Sequence, residues 1–327
     1  MKRLMIYFFY DKDGIVDDYV PYFLEKFRPY CEEICTVVNG EVTEESRKKL
    51  EKYSNIVLER ENTGLDVEAY KHGLNYYGFE KIRNEFDEVL LTNFTIYGPF
   101  YSLDEMFKNI EETDCDWWAP FKWYIKEHDF RHMPSFFNVY KKNLIQSTEF
   151  EKYWTEMPKI KSYYDSCAIH EQKQTKHWQS LGFKEGTWID DSKYKEFWDN
   201  HWPLTKADRA VIEDKYPFIK RRCFYPDYLF TKSQFELIKN ILNYLKKNNL
   251  YDTNLIVSNL MRTLDFSLPK KDLKYWKYRL LYKIHPNKEK REKYTKRLQQ
   301  YSEIANYKRF LETNNIQQST LNKYAEK

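Results

Sequence analysis

Val89-Leu-Leu-Thr-Asn93-Phe-Thr95-Ile-Tyr97-Gly-Pro99 is the stretch on which the reading of this chain turns. Its strand, Val89–Thr92, is apolar without the polar alternation of a half-solvated sheet, so it belongs to a strand covered on both faces. The polar turn and Gly-Pro that follow stop it. Working towards the amino terminus, Ile56–Leu58, Ile34–Val38 and Leu4–Tyr10 repeat the pattern. Helix-length amphipathic stretches separate them. Tyr19, Val20, Phe23, Leu24 and Phe27 recur at helical spacing behind Asp17 and Asp18, Thr43-x-x-Ser46 opens a polar helix to about Tyr53, and a third helix runs from about Val67 to Tyr77. Towards the carboxyl terminus, Asp116–Pro120 and Ser135–Tyr140 read as strands, and Phe150–Trp154 and His170–Leu181 as helices.

This alternation predicts an α/β fold of Rossmann type over residues 1–222. From Asp227 the pattern becomes helical, with one apolar stripe through Phe235, Leu237, Ile238, Ile241, Leu242 and Leu245 and another through Leu255, Ile256, Leu260 and Leu264. A helical extension over 223–266 is expected, followed by a basic tail over 267–327. The composition agrees: 42% hydrophobic residues in a 327-residue chain supply a large core, which excludes a disordered or collagen-like chain. The net charge of +4 hides an asymmetry, because residues 267–297 carry 12 Lys and Arg against 3 acids and the rest must sum to −5. An anionic partner of the tail alone fits better than a protein that binds nucleic acid over its whole surface.

Five cysteines, at 31, 35, 115, 167 and 223, are odd in number and scattered, as expected of reduced thiols in a cytoplasmic protein. Leu4–Tyr10 runs into Asp11 and Asp13 and reads as a strand rather than a signal peptide. No stretch is long enough in apolar residues to span a bilayer. Histidines 128, 132, 170 and 177 match no zinc spacing, and no Walker loop, nucleophile elbow or dinucleotide fingerprint is present.

Ligands of open α/β sheets bind at the carboxyl ends of the strands, so Tyr10–Gly14, Asn39, Arg60–Asp66 and Asn93–Pro99 should crowd one rim. In Arg60-Glu-Asn62-Thr-Gly64-Leu-Asp66 the glycine lets backbone approach a phosphate and the helix start offers unpaired N–H groups, although the same residues also make an ordinary strand-to-helix turn.

Tyr10-Asp-Lys-Asp-Gly-Ile-Val-Asp-Asp-Tyr19, Glu61-Asn-Thr-Gly-Leu-Asp66 with Ala69-Tyr70-Lys71, and Asn93-x-x-x-Tyr97-Gly-Pro99 together resemble the rhamnan synthesis protein F family. So do Ser135-Phe136 with Lys141-Lys142-Asn143, Pro217-Phe-Ile-Lys-Arg221, and Tyr251-Asp252 through Leu260-x-Arg262-Thr263, over roughly residues 3–265. The resemblance implies a GT-A-like glycosyltransferase fold whose rim holds a sugar nucleotide, serving rhamnose-containing cell-surface polysaccharides. Tyr10, Asp11, Asn39, Arg60, Asn62, Gly64, Asp66, Lys71, Asn93, Thr95 and Tyr97 would be the donor-binding residues. Most GT-A enzymes carry an Asp-x-Asp pair after the fourth strand for Mg2+ or Mn2+, whereas this chain has Asn93-Phe94-Thr95, without a carboxylate. That leaves either a weakly held metal at Asn93 and Thr95 or neutralisation of the diphosphate by Arg60, Lys71 and backbone N–H groups.

In inverting GT-A enzymes a carboxylate at a helix start, eleven residues before a glycine, deprotonates the acceptor hydroxyl, and Glu171 to Gly182 has that spacing. Glu171 is therefore the candidate base and Asp116, at the end of the fifth strand beside Trp117 and Trp118, the reserve. A glutamate that only offsets a helix dipole is the alternative. The two tryptophans and Tyr97 could stack on a sugar face.

In the tail, Leu273, Trp276, Leu280, Leu281 and Ile284 interleave with basic residues up to Pro286, as in a helix lying on an anionic membrane. A helix packed on the body and a nucleic-acid patch are the rivals. The function that the resemblance implies is an inverting transfer of a sugar, L-rhamnose from dTDP-rhamnose, onto a glycan acceptor of the lipid-linked kind, by a peripheral protein of the inner membrane face, without a nucleic-acid partner. Another donor, such as a galactofuranosyl or hexosyl nucleotide, and a degenerate binding subunit of a polysaccharide-assembly complex are the alternatives.

Overall fold

The computed structural model describes residues 1–126, 129–225 and 232–264, and beyond them 289–290, 293, 298–299 and 303–314. Nearly all of the basic tail at 267–297, including Leu273, Trp276, Leu280, Leu281, Ile284 and Pro286, therefore lies outside the described residues, as does His128.

The first half alternates strands and helices: β1 (Arg3–Phe9), α1 (Tyr19–Phe27), β2 (Glu33–Asn39), α2 (Glu44–Glu51), β3 (Ile56–Arg60), α3 (Leu65–Tyr77), α4 (Phe79–Glu85), β4 (Glu88–Asn93), β5 (Ile96–Tyr97), α5 (Leu103–Glu111) and β6 (Trp117–Ala119). A small hairpin, β7 (Trp123–Ile125) with β8 (Phe130–His132), precedes β9 (Phe137–Lys141), α6 (Lys142–Gln146), α7 (Thr148–Glu156) and α8 (Tyr163–Asp165). A π-turn over Ser166–Glu171 leads into α9 (Gln172–Ser180) and β10 (Glu185–Thr187). The rest comprises α10 (Trp202–Thr205), α11 (Ala207–Glu213), β11 (Ile219–Lys220), α12 (Lys232–Lys247) and α13 (Asn254–Thr263), with helix again at 303–314.

Seven strands form the central sheet in the order β10-β6-β9-β4-β1-β2-β3. Only β9 runs against its neighbours, so the sheet is parallel-dominated and GT-A-like. All seven residues of β1 are buried, as the unbroken apolar run requires. Its side chains alternate between two cores: Leu4, Ile6 and Phe8 pack with Tyr70, Leu74 and Trp178 on one face, and Met5, Tyr7 and Phe9 with Phe23, Phe100 and Phe137 on the other. The second core also contains Ile238, Ile241, Leu245, Ile256, Leu260, Tyr307 and Leu311. Residues on both sides of position 222 thus share one apolar core.

Among the described residues no helix is long and apolar enough to cross a membrane. The five cysteines are free, and all but Cys167 are buried.

Candidate functional site

The parallel register brings the ends of β1 and β4 side by side, with Phe8 opposite Asn93 and the Phe94 N–H donating to the Phe8 carbonyl. From β4 the rim is held by a chain of polar contacts. Asn93 Nδ2 donates to Asp66 Oδ2 at 3.2 Å, while Asn93 Oδ1 accepts from Thr95 N at 3.1 Å and from Thr95 Oγ1 at 2.6 Å. Asn39, at the end of β2, donates to the Leu65 carbonyl at 3.2 Å and accepts from Arg60 Nη1 at 2.6 Å. Arg60 also donates to the Thr63 carbonyl, so all of these partners of its guanidinium are neutral.

Gly64 makes the turn into α3 possible. Its φ is +67°, and a Cβ there would lie 2.0 Å from Glu68 Cγ. The helix that follows carries Asp66 in its first turn, half-buried and facing the carboxylate of a distant segment. Ser135 joins them: its Oγ lies 2.8 Å from both Asp66 Oδ2 and Glu171 Oε1, and its backbone N–H donates to Glu171 Oε1 at 2.8 Å. One hydroxyl hydrogen cannot serve both carboxylates. Burial, reinforced by the charge of Glu171, raises the Asp66 pKa above the usual carboxylate range. Glu171 ends the π-turn, and its side chain reaches across to Ser135 rather than capping α9. Such turns often mark functional positions because they re-aim a side chain.

Opposite the carboxylates stands a basic corner. β11 pairs antiparallel with β5, placing Lys220 opposite Ile96 and bringing Lys220 Nζ to 2.9 Å from Thr95 Oγ1. The ammonium also sits 4.0 Å from the Phe136 ring centroid. Burial draws its pKa down to about 8, against the opposing pull of Glu171 and Asp66. Arg221 is buried beside it. Its Nη1 donates to the Tyr19 hydroxyl at 3.0 Å, which in turn donates to the Phe94 carbonyl at 3.0 Å. Gly98 permits this docking, since a Cβ there would lie 2.2 Å from the Pro217 carbonyl oxygen.

Next to this rim lies an open cavity of about 580 Å³ lined by Tyr10, Asp11, Lys12, Asp13, Gly14, Gly40, Glu41, Val42, Thr43 and Asn62. That volume falls within the roughly 300–1,000 Å³ of small-molecule sites. Asp11 is stapled rather than free: it accepts from the N–H groups of Asp13 and Ile15, and Arg262 of α13 bonds both it and Asp17. Burial works against ionisation, yet Arg262 and the two N–H groups keep the Asp11 carboxyl below its ordinary pKa.

The structure thus brings Asp66, Asn93, Thr95 and Glu171 together, with Asn39, Arg60 and Gly64 along the adjoining β2–β3 side and Tyr10, Asp11 and Asn62 around the cavity. Three expectations need correction. Asp116 precedes β6 and accepts from Lys184 N and Asn143 Nδ2; since β6 runs parallel to β4, Asp116 belongs to the opposite edge of the sheet. Lys71 donates its ammonium hydrogens to the carbonyls of Thr155 and Met157 at the end of α7, not to the rim. Tyr97, Trp117 and Trp118 are fully buried, and Tyr97 donates to Asn259, so none is a sugar-stacking surface. Sequence reasoning missed Ser135 and Lys220 as site residues, although both sit in segments that carry the family resemblance.

The Asn93–Thr95 turn fits a divalent cation poorly. The Asn93 oxygen already accepts two hydrogen bonds, Thr95 Oγ1 faces an ammonium, and position 94 contributes a phenylalanine packed edge-on against Phe8 and Phe9. Hard cations need several oxygen ligands, preferably charged. Among the described residues no cluster of three or more His, Cys, Asp or Glu is arranged to hold a metal.

A parallel-dominated sheet with a polar rim at its carboxyl edge is the architecture of nucleotide-binding α/β proteins. Within that class, the chain belongs to the rhamnan synthesis protein F family, whose profile matches residues 34–304. It is 24% identical over 153 residues to an uncharacterized Sinorhizobium fredii protein, y4gN, a match covering 46% of this chain and only 39% of that relative. Among solved structures it is similar to a putative nucleotide-diphospho-sugar transferase from Desulfovibrio desulfuricans G20 (9% identity, 77% of this chain, 100% of that one, TM-score 0.35). It is also similar to glucosyl-3-phosphoglycerate synthase from Mycobacterium tuberculosis, solved with Mn2+ and uridine diphosphate (10% identity, 44% and 58%, TM-score 0.30).

Proposed function

We propose that this chain is an inverting glycosyltransferase that moves a sugar, L-rhamnose from dTDP-rhamnose, onto a cell-surface polysaccharide acceptor. Family membership supports the reaction class. The observation that carries the mechanism is the meeting of Asp66 and Glu171 at Ser135, on the rim beside a nucleotide-sized cavity. An inverting transfer needs one carboxylate to accept the acceptor's hydroxyl proton as its oxygen bonds to the anomeric carbon and the nucleoside diphosphate leaves with the electrons of the broken bond. Glu171 is that base in our reading. Ser135 orients it, and Asp66, with its raised pKa, holds Asn93 and Ser135 in place. Arg60, held only by neutral acceptors, is left to attract donor phosphates.

Saturation binding with a panel of sugar nucleotides, with and without Mn2+, tests the reading together with transfer to a lipid-linked acceptor. Failure to bind any of them refutes it. Binding without turnover favours the second reading, a binding subunit of a polysaccharide-assembly complex, which the aromatic packing of Phe94 at the usual carboxylate position supports. Turnover with a galactofuranosyl or hexosyl nucleotide instead would change the donor and keep the class. The net +9 of residues 267–297 supports an anionic membrane surface as the partner of the tail. Loss of vesicle co-sedimentation on deleting 267–327 is the expected result.

A further inference from the structure

We propose that the ammonium of Lys220, rather than a divalent cation, meets the diphosphate of the sugar nucleotide at the end of β4. The inference rests on the glycosyltransferase reading and specifies how that reading neutralises its leaving group. A departing nucleoside diphosphate develops negative charge that must be met by a fixed cation or by preorganised donors. At the turn where the family resemblance places a metal-binding pair, this chain supplies no carboxylate and no unoccupied pair of oxygens. It supplies a positive charge instead. Lys220 Nζ lies 2.9 Å from Thr95 Oγ1, and that is the single hydrogen bond it makes among the described residues. An ammonium has three donors, so two remain for an incoming anion.

Placing this group there takes several features of the fold. The β5–β11 pairing sets the register, Gly98 lets the Pro217 carbonyl approach, and the buried Arg221 ties β11 through the Tyr19 hydroxyl to the Phe94 carbonyl. Asp66 and Glu171 act on Lys220 electrostatically, but among the described residues neither makes an ion pair with it within 4.0 Å. Lys220 is half-buried as a residue, its ammonium rests on the Phe136 ring and one neutral hydroxyl, and an arriving diphosphate would complete that shell.

Calorimetric titration of the full chain with dTDP, UDP and thymidine, in EDTA and in Mn2+, tests this. Wild-type protein should bind a nucleoside diphosphate with the same affinity, within about twofold, in both conditions, whereas Lys220→Met should weaken diphosphate binding by about tenfold or more and thymidine binding by less than about twofold. Lys220→Arg should retain most of the affinity. Equal losses for dTDP and thymidine would mark a merely structural lysine and overturn the inference. Wild-type binding that requires Mn2+ overturns the inference alone and leaves the transferase reading standing. No diphosphate binding by the wild-type chain in either condition overturns both. The wild-type comparison needs no variant and stands even if Lys220→Met fails to fold.

Discussion

At the amino-terminal edge of the central sheet, Arg3 meets Glu88 at 2.6 Å with both side chains almost wholly buried, and the neighbouring charges pair as Lys142 with Asp87 and Lys184 with Asp114. At the carboxyl-terminal edge, Arg60, Lys220 and Arg221 hydrogen-bond to Asn39, Thr63, Thr95 and Tyr19, and Asp66 and Glu171 converge on a serine. At the first edge these three cations are each matched to an anion. At the second, Arg262 pairs with Asp11 and Asp17, but Arg60, Lys220 and Arg221 rest on neutral groups, leaving their electrostatics incompletely satisfied. A structural edge gains nothing from such an arrangement, whereas an edge that receives an anionic ligand does.

Breaking each edge in turn should give opposite phenotypes. Glu171→Gln should lower transfer by about 100- to 10,000-fold while leaving sugar-nucleotide binding in place, measured by labelled-sugar incorporation and calorimetry. Full activity would dismiss Glu171 as base. Glu88→Ala should leave Arg3 buried without its carboxylate and cost about 3–5 kcal/mol in denaturant unfolding, with the nucleotide affinity of the remaining folded protein unchanged. Replacing both members by apolar residues, Arg3→Met with Glu88→Leu, should recover most of that loss; if it does not, the pair does more than fill space.

The comparison extends to pH. His170, beside Glu171, is buried with its Nδ1 2.9 Å from the Tyr153 hydroxyl, and burial draws its pKa down to about 4. The unfolded chain takes up this proton near pH 6.5 and the folded chain only near 4, so His170 supports the fold fully above pH 6.5 and that support is lost as pH falls towards 4. The loss is on the order of 3 kcal/mol. Thermal melts across that window should show it, and a His170→Gln variant that keeps the full acid sensitivity would assign it elsewhere. The smallest expected effect is that of Arg60→Ala, which should cost about 1 kcal/mol of stability and weaken nucleoside diphosphate binding by roughly tenfold. Unchanged affinity would remove Arg60 from the donor site.

Much of this arrangement is visible in the primary structure because it depends on local patterns. The doubly covered strands, the helix spacings and the rim turns follow from runs and periods of a few residues, and the four parallel strands β1 to β4 match their expected segments to within two residues at each end. Asp116 shows what the sequence hides, because an apolar run carries no arrow: Asp116 before Trp117-Trp118 reads equally as the end or the start of a strand, and only the antiparallel threading of β9 settles the direction of β6. Lys71 and Tyr97 show the complementary difficulty. A lysine or tyrosine one turn from a rim looks available until the carbonyls of Thr155 and Met157, or Asn259 of α13, are seen to engage it.

The chain by itself determined an α/β sheet with a helical annex, a polar rim at its carboxyl edge, and a family, since each is encoded in short-range pattern and motif. Only the tertiary structure decided which charges stand together there. Ser135 reaches Asp66 and Glu171 across 69 and 36 residues, and Lys220 reaches Thr95 across 125, because antiparallel pairing and a shared core bring distant segments to one edge. Hydrogen-bond partners at such separations leave no trace in local periodicity, and it is they that turn a polar rim into a site.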